Sequence, residues 1–398
     1  MLDDLAHLPA WRQLIAASPE ERLNRGYGHT LSEIAQQPSL WVDVASALES
    51  RRSDLERSLG GRWGAELPQA VLLTGSGSSC YVGECLAPGL QARLGIPVRA
   101  VASGAILLQP EAYVPRGPSL MVSFARSGNS PESCAALEVT LGRAPGCRHL
   151  IVTCNPEGAL ATRYRANAGV TTLLLDERSC DRSLVMTSSF TSLVLAGLAL
   201  GMLDRWSEYR ELATRLADLG RHLLLHHSPP LAELARSDFR SAVFLGSGAR
   251  YGTALEASLL LREMTDGRVA TLGETYLGLR HGPMSAVHDD TLVLCHLASD
   301  TVVCAYELDL VRELHGKRPR APKVLVGEGV AREGTSALVL ELPGLGAAGD
   351  EGGAIVQVLA GQLLAFFRSL AEGLRPDSPS PDATLTRVVE SFPLHRAR

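Results

Sequence analysis

Ala70-Val-Leu-Leu-Thr-Gly75-Ser-Gly77-Ser78-Ser79-Cys-Tyr-Val-Gly-Glu84 decides how this chain is read. The apolar run to Thr74 predicts a strand, the Gly-Ser-Gly turn a sharp reversal, and the residues after it a helix. The same grammar continues downstream. Leu120-Met-Val-Ser-Phe124 predicts a strand, Ala125-Arg-Ser-Gly-Asn-Ser-Pro131 a loop, and the residues from Glu132 a helix. His149-Leu-Ile-Val-Thr153 and Val170 to Leu175 add further strands. Strands alternating with helices imply an α/β fold with a parallel sheet covered on both faces.

The pattern then recurs. Ser241-Ala-Val-Phe-Leu-Gly246-Ser-Gly248-Ala-Arg-Tyr-Gly-Thr-Ala-Leu-Glu256 repeats the strand, the turn and the helix. Asp290 to Ser299 stands where Leu120 to Ser127 stood, and Lys323-Val-Leu-Val-Gly327 where the His149 strand stood. An offset that stays near roughly 170 residues marks a domain duplication. The expected layout is an N-terminal helical segment at 1–64, a first domain at 65–205, a helical connector at 206–240, a second domain at 241–375 and a tail at 376–398. Within the helical segment, Thr30-Leu-Ser-Glu33 has the form of a capping box, and Pro38 with Trp41 suggests one helix stopping and another docking. The charged run from Glu49 to Arg57 reads as a solvated helix face.

Composition narrows the function. Of the 398 residues, 45% are hydrophobic and 20% charged, as in a protein that buries sizeable cores. The net charge of −5 gives no basic field for nucleic acid or anionic membrane, so neither is an expected partner. The eight cysteines form no Cys-x-x-Cys pair and no zinc spacing, so buried thiols in a reducing, cytoplasmic setting are expected and no metal is. The N-terminus lacks the pattern of a signal peptide. The apolar stretch near Leu193 to Leu203 is shorter than the roughly 18 residues of a membrane span and reads as a buried helix.

The chemistry lies in the loops. Ligands of parallel α/β sheets sit outside the carboxyl ends of the strands. The loops after Thr74 and Phe124 both open there, and each starts a helix whose free N–H groups and dipole favour an anion. Glycines at 75, 77 and 128 let the backbone approach, and Ser78, Ser79, Ser127 and Ser130 offer hydroxyls to phosphate oxygens. A dinucleotide fingerprint fails because Cys80 stands where its third glycine belongs, and a Walker loop fails because no lysine follows either turn. No cofactor is expected.

The second copy carries different residues. Glu256 and Glu263 lie two helical turns apart and share one helix face. His281 sits in Glu274-Thr-Tyr-Leu-Gly-Leu-Arg-His281-Gly-Pro283. A carboxylate and an imidazole suit a sugar isomerisation, one opening the ring and the other moving a proton between C1 and C2.

On these motifs the chain resembles the sugar isomerase (SIS) domain family. It is most similar to the tagatose-6-phosphate ketose/aldose isomerases, also described as galactosamine-6-phosphate deaminase/isomerases. The stretches that carry the resemblance are Leu31 to Pro38, Thr74 to Ser79, Ala125 to Glu132, Leu184 to Thr191, Gly278 to Pro283 and Pro376 to Pro379. The resemblance implies two tandem three-layer αβα (flavodoxin-like) sandwiches. It implies that Ser78, Ser79, Ser127 and Ser130, with Gly77 and Arg126, hold the phosphate of a sugar 6-phosphate, with Asp181 close to the substrate. Glu263 becomes the C1/C2 base, His281 the ring opener contributed across a homodimer interface, and Glu256 the group that orients it.

The departures count too. Residue 2 is leucine, not a nucleophilic cysteine, and no glutaminase domain precedes the first copy, which argues against glutamine-dependent amination. Lysine occurs only at Lys317 and Lys323, and Leu260 stands where the isomerase half of glucosamine-6-phosphate synthase has a lysine, which argues against an enzyme Schiff base. The expected reaction is aldose–ketose isomerisation or deamination of a hexose or hexosamine 6-phosphate. The alternative is a non-catalytic sugar-phosphate sensor.

Overall fold

The computed structural model describes residues 1–60, 67–330 and 337–395. The expected boundary at 64/65 lies outside the described residues. The chain forms two compact units that interleave along the sequence. One comprises Ser39–Asp181, Ser188–Ala213 and Leu385–Arg398, and the other Met1–Pro38, Arg182–Thr187 and Thr214–Thr384.

The unit containing the first copy holds β1 (Ala70–Gly75), β2 (Val98–Ala102), β3 (Ser119–Ala125), β4 (Cys147–Thr153) and β5 (Val170–Leu174). All pair in parallel, in the order β2-β1-β3-β4-β5. Every residue of β3 is buried, as a central strand covered on both faces requires. The order reverses direction between β1 and β3, which is the switch point where such sheets bind ligands. The helix Ser188–Leu198 is buried along its whole length, as its apolar sequence predicts.

The unit containing the second copy holds β6 (Ser241–Leu245), β7 (Ala270–Glu274), β8 (Thr291–His296), β9 (Lys323–Gly327) and β10 (Leu338–Glu341). Read from β7, their order is β7-β6-β8-β9-β10, the topology of the first sheet repeated. The helix Gly349–Ala371 packs against the helix Ala249–Met264, and a Cβ on Gly361 would lie 2.5 Å from the Cβ of Ala257, so only glycine allows that approach. The stretch Leu345–Ala371 is long and apolar enough to cross a membrane, and the sequence reading passed over it. Here 83% of its most apolar window is buried, as in a core helix.

The N-terminal segment is helical as expected, with two corrections. Helix Gly28–Glu49 runs straight through Pro38. Proline removes the N–H that would reach the Ile34 carbonyl, and the Gln37 side-chain amide donates to that carbonyl instead, at 3.3 Å. Thr30 and Glu33 form no capping box. Asp377 caps the helix, accepting from the N–H groups of His29 at 3.1 Å and Thr30 at 2.8 Å and from the Thr30 hydroxyl at 2.7 Å. Glu33 instead accepts from the Arg182 and Ser183 amides and the Ser183 hydroxyl. The Asp377 carbonyl accepts the Leu184 N–H at 3.1 Å. The stretches around residues 31–38, 184–187 and 376–379 therefore share one structural joint.

Candidate active site

In the first copy the β1 turn closes tightly. A Cβ on Gly75 would lie 2.5 Å from the Ser79 carbonyl carbon. Gly77, at φ 56° and ψ −130°, is the N-cap of helix Ser78–Leu94, which has no side-chain cap. Among the described residues nothing lies within 4 Å of a Cβ placed on Gly77, so the space before the helix is open to them. Ser78 and Ser79 begin that helix.

The loop after β3 is fixed from the neighbouring loop. Asn155 Nδ2 donates to the Ser127 carbonyl at 2.8 Å, and the Ala159 N–H donates to Asn129 Oδ1 at 2.9 Å. Gly128 takes φ 67°. Ser130 is the N-cap of helix Pro131–Arg143, yet its hydroxyl makes no cap bond. The two turns are joined by hydroxyls that the sequence reading did not single out. Ser76 Oγ lies 3.1 Å from Ser133 Oγ, which lies 3.3 Å from Ser103 Oγ, itself 3.2 Å from Thr74 Oγ1. The structure thus brings the serine turns together at the switch point, with both helix starts uncapped.

Arg126 is nearly buried, and its Nη2 donates to the Arg387 carbonyl at 2.5 Å. Arg387 in turn donates through Nε to the Asp181 carbonyl at 2.8 Å. Arg387 escaped the sequence reading because its position in a tail carries no pattern. Asp181, expected close to the substrate, is held at a helix start. Its Oδ1 accepts from the Ser188 N–H at 3.0 Å, and its Oδ2 from the Ser189 N–H at 2.9 Å and the Ser189 hydroxyl at 2.5 Å. It caps helix Ser188–Leu198 through both oxygens. Cys80 offers no thiolate, since burial and then Glu84 push its thiol up to about 11.

In the second copy, Glu256 is fully buried and Glu263 half-buried on helix Ala249–Met264. That helix starts at the carboxyl edge of β6 and packs back along it over 16 residues, about 24 Å at 1.5 Å each. Glu263, in its last turn, therefore lies toward the amino edge of the sheet. His281 follows β7 at the carboxyl edge and is exposed. Its loop is held by the Thr275 hydroxyl, which accepts from the Gly278 N–H at 3.0 Å, and by the His281 N–H, which donates to the Gly278 carbonyl at 2.9 Å. Glu263 and His281 thus lie toward opposite edges of the same sheet. A helix returning along its strand carries its two ends to opposite edges, which sequence spacing alone does not reveal.

A scan against models of protein families finds no match. Individual proteins do match. D-galactosamine-6-phosphate deaminase AgaS of Escherichia coli is 32% identical over 375 residues, spanning 92% of this chain and 95% of its own. A Streptomyces coelicolor protein that also carries the AgaS name is 37% identical over 373 residues, with 92% and 95% covered. The crystal structure of tagatose-6-phosphate ketose/aldose isomerase from Escherichia coli superimposes with a TM-score of 0.83 at 29% identity, over 93% of this chain and 97% of that one. With the duplicated sheet and the serine turns in place, these likenesses show that the chain belongs to the AgaS family of SIS-fold sugar-phosphate isomerases and deaminases.

Proposed function

We propose that the protein converts galactosamine 6-phosphate to tagatose 6-phosphate and ammonia. The observation that carries this is the pair of uncapped helix starts, after Gly77 and at Ser130, beside four serines at one switch point. Ser78, Ser79, Ser127 and Ser130, with Gly77, hold the phosphate, and Arg126 adds positive charge. Asp181 is a positioning residue, acting through the start of helix Ser188–Leu198.

Glu263 is the base, with Glu256 buried two turns before it to orient the machinery. It takes the proton from C2 of the open-chain amino sugar and returns it to C1. The C2 amine becomes an imine, water adds at C2, and ammonia leaves to give the ketose. His281 opens the ring. Because it stands at the opposite sheet edge from Glu263, a centre that uses both takes His281 from a second chain, and the working form is a homodimer. The setting is the cytoplasm, where sugar phosphates are made and held.

Incubation with galactosamine 6-phosphate tests the reading. Ammonia and tagatose 6-phosphate are expected in equal amounts. Saturable binding without product would overturn it in favour of a sensor.

A further inference from the structure

The two Gly-Ser-Gly turns share one backbone geometry. Gly77 takes φ 56° and ψ −130°, Gly248 takes φ 57° and ψ −131°, and each is the N-cap of the helix that follows. Their surroundings differ. The space before Gly77 is open. Before Gly248 sits a carboxylate. Asp350 Oδ2 accepts the Ala249 N–H at 2.8 Å, and its Oδ1 pairs with the Arg250 guanidinium. A Cβ on Gly248 would fall 2.5 Å from that Oδ2.

The adjacent strand end shows the same exchange. After β8, the Ala298 N–H donates to Glu307 Oε2 at 2.7 Å. Asp300 caps helix Thr301–Lys317, accepting from the N–H groups of Val302 and Val303 at 2.9 and 3.0 Å. The first copy has Ser127 and Ser130 in this region, with no cap bond from Ser130. Donor capacity is also left over. Arg250 is 1% exposed, and Nη2 of the same guanidinium that faces Asp350 has no hydrogen-bond partner among the described residues.

We propose that the second Gly-Ser-Gly turn is a retained phosphate-type anion site whose resident anion is the chain's own Asp350. A carboxylate on a helix start uses the same N–H groups and dipole that a phosphate would use. Arg250, standing where the first copy has Ser79, supplies the balancing charge. Asp350 is 45% exposed, so solvent anions reach its place once it is removed. The second copy is thereby a self-liganded relic of the first, and the division between a binding copy and a non-binding copy rests on this carboxylate. The proposal rests on the phosphate reading of the first copy only in taking phosphate as the anion.

The test counts inorganic phosphate bound per chain by equilibrium dialysis. It compares the wild type, Asp350→Ala, and Asp350→Ala combined with Glu307→Gln, the last removing a second carboxylate from the place the phosphate would enter. One more phosphate per variant chain than per wild-type chain is expected. Equal counts in folded variants overturn the proposal. A wild type that binds none beside a variant that binds one would sink the first-copy reading and leave this one standing. Thermal unfolding with and without phosphate covers instability. A variant that folds only in phosphate supports the site, and one still unfolded in saturating phosphate overturns it.

Discussion

Gly77 and Gly248 hold the same glycine-favouring backbone geometry, one before open space and the other 2.5 Å from the Asp350 carboxylate where a Cβ would go. Both sit at positive φ, where a side chain costs about 1–3 kcal/mol. Gly77→Ala is expected to lower the unfolding temperature by that strain alone and to weaken phosphate binding. Gly248→Ala meets the carboxylate as well and is expected to lose more stability. Thermal denaturation of the two variants side by side checks the order.

Glu263→Gln is expected to lower turnover by about 10²–10⁴-fold, the usual range for a positioned acid or base, with substrate affinity little changed. Near-normal ammonia release from this variant would remove Glu263 from the mechanism.

The sheet-edge separation of Glu263 from His281 makes a sharper prediction. Glu263→Gln and His281→Ala chains are each expected to be inactive as homodimers. If His281 serves the partner's site, a mixed dimer has one centre lacking both groups and one intact. Equal mixing with subunit exchange is expected to restore about a quarter of wild-type activity. No recovery despite proven exchange would place both groups in the same chain's centre or remove His281 from it.

His149, on the buried strand β4, has neither ring nitrogen hydrogen-bonded to a described residue, and burial pushes its pKa down to about 4. A folded-state value below the unfolded 6.5 means that its contribution is fully present above pH 6.5 and is lost as pH falls toward 4. Between pH 7 and 5 the wild type is expected to lose about 2 kcal/mol through this group. Urea unfolding at the two values checks it, and an equal loss in His149→Leu would show that the acid sensitivity lies elsewhere.

Much of this was legible in the sequence because it is local. Ala70 to Glu84 and its repeat from Ser241 announce strand, turn and helix through adjacent residues, and both sheets follow. The serine turns were legible for the same reason. What escaped depends on partners distant along the chain. Asp350 reaches a turn that lies about a hundred residues earlier, by an approach no periodicity encodes. Pro38 reads as a helix stop because the rescue comes from the Gln37 side chain. The bonds from Asp181 to the Ser188 and Ser189 amides were not legible either, because no periodicity announces a cap seven and eight residues away.

The Asp377 cap on His29 and Thr30 also sets a timetable. The groups it joins are up to 348 residues apart. At about 5–20 residues per second of synthesis, the start of helix Gly28–Glu49 stays uncapped for on the order of 20–70 s after it is made. Until Asp377 emerges, helix Gly28–Glu49 has its apolar face but not its N-terminal cap, so a helix made early is finished only by a residue made much later.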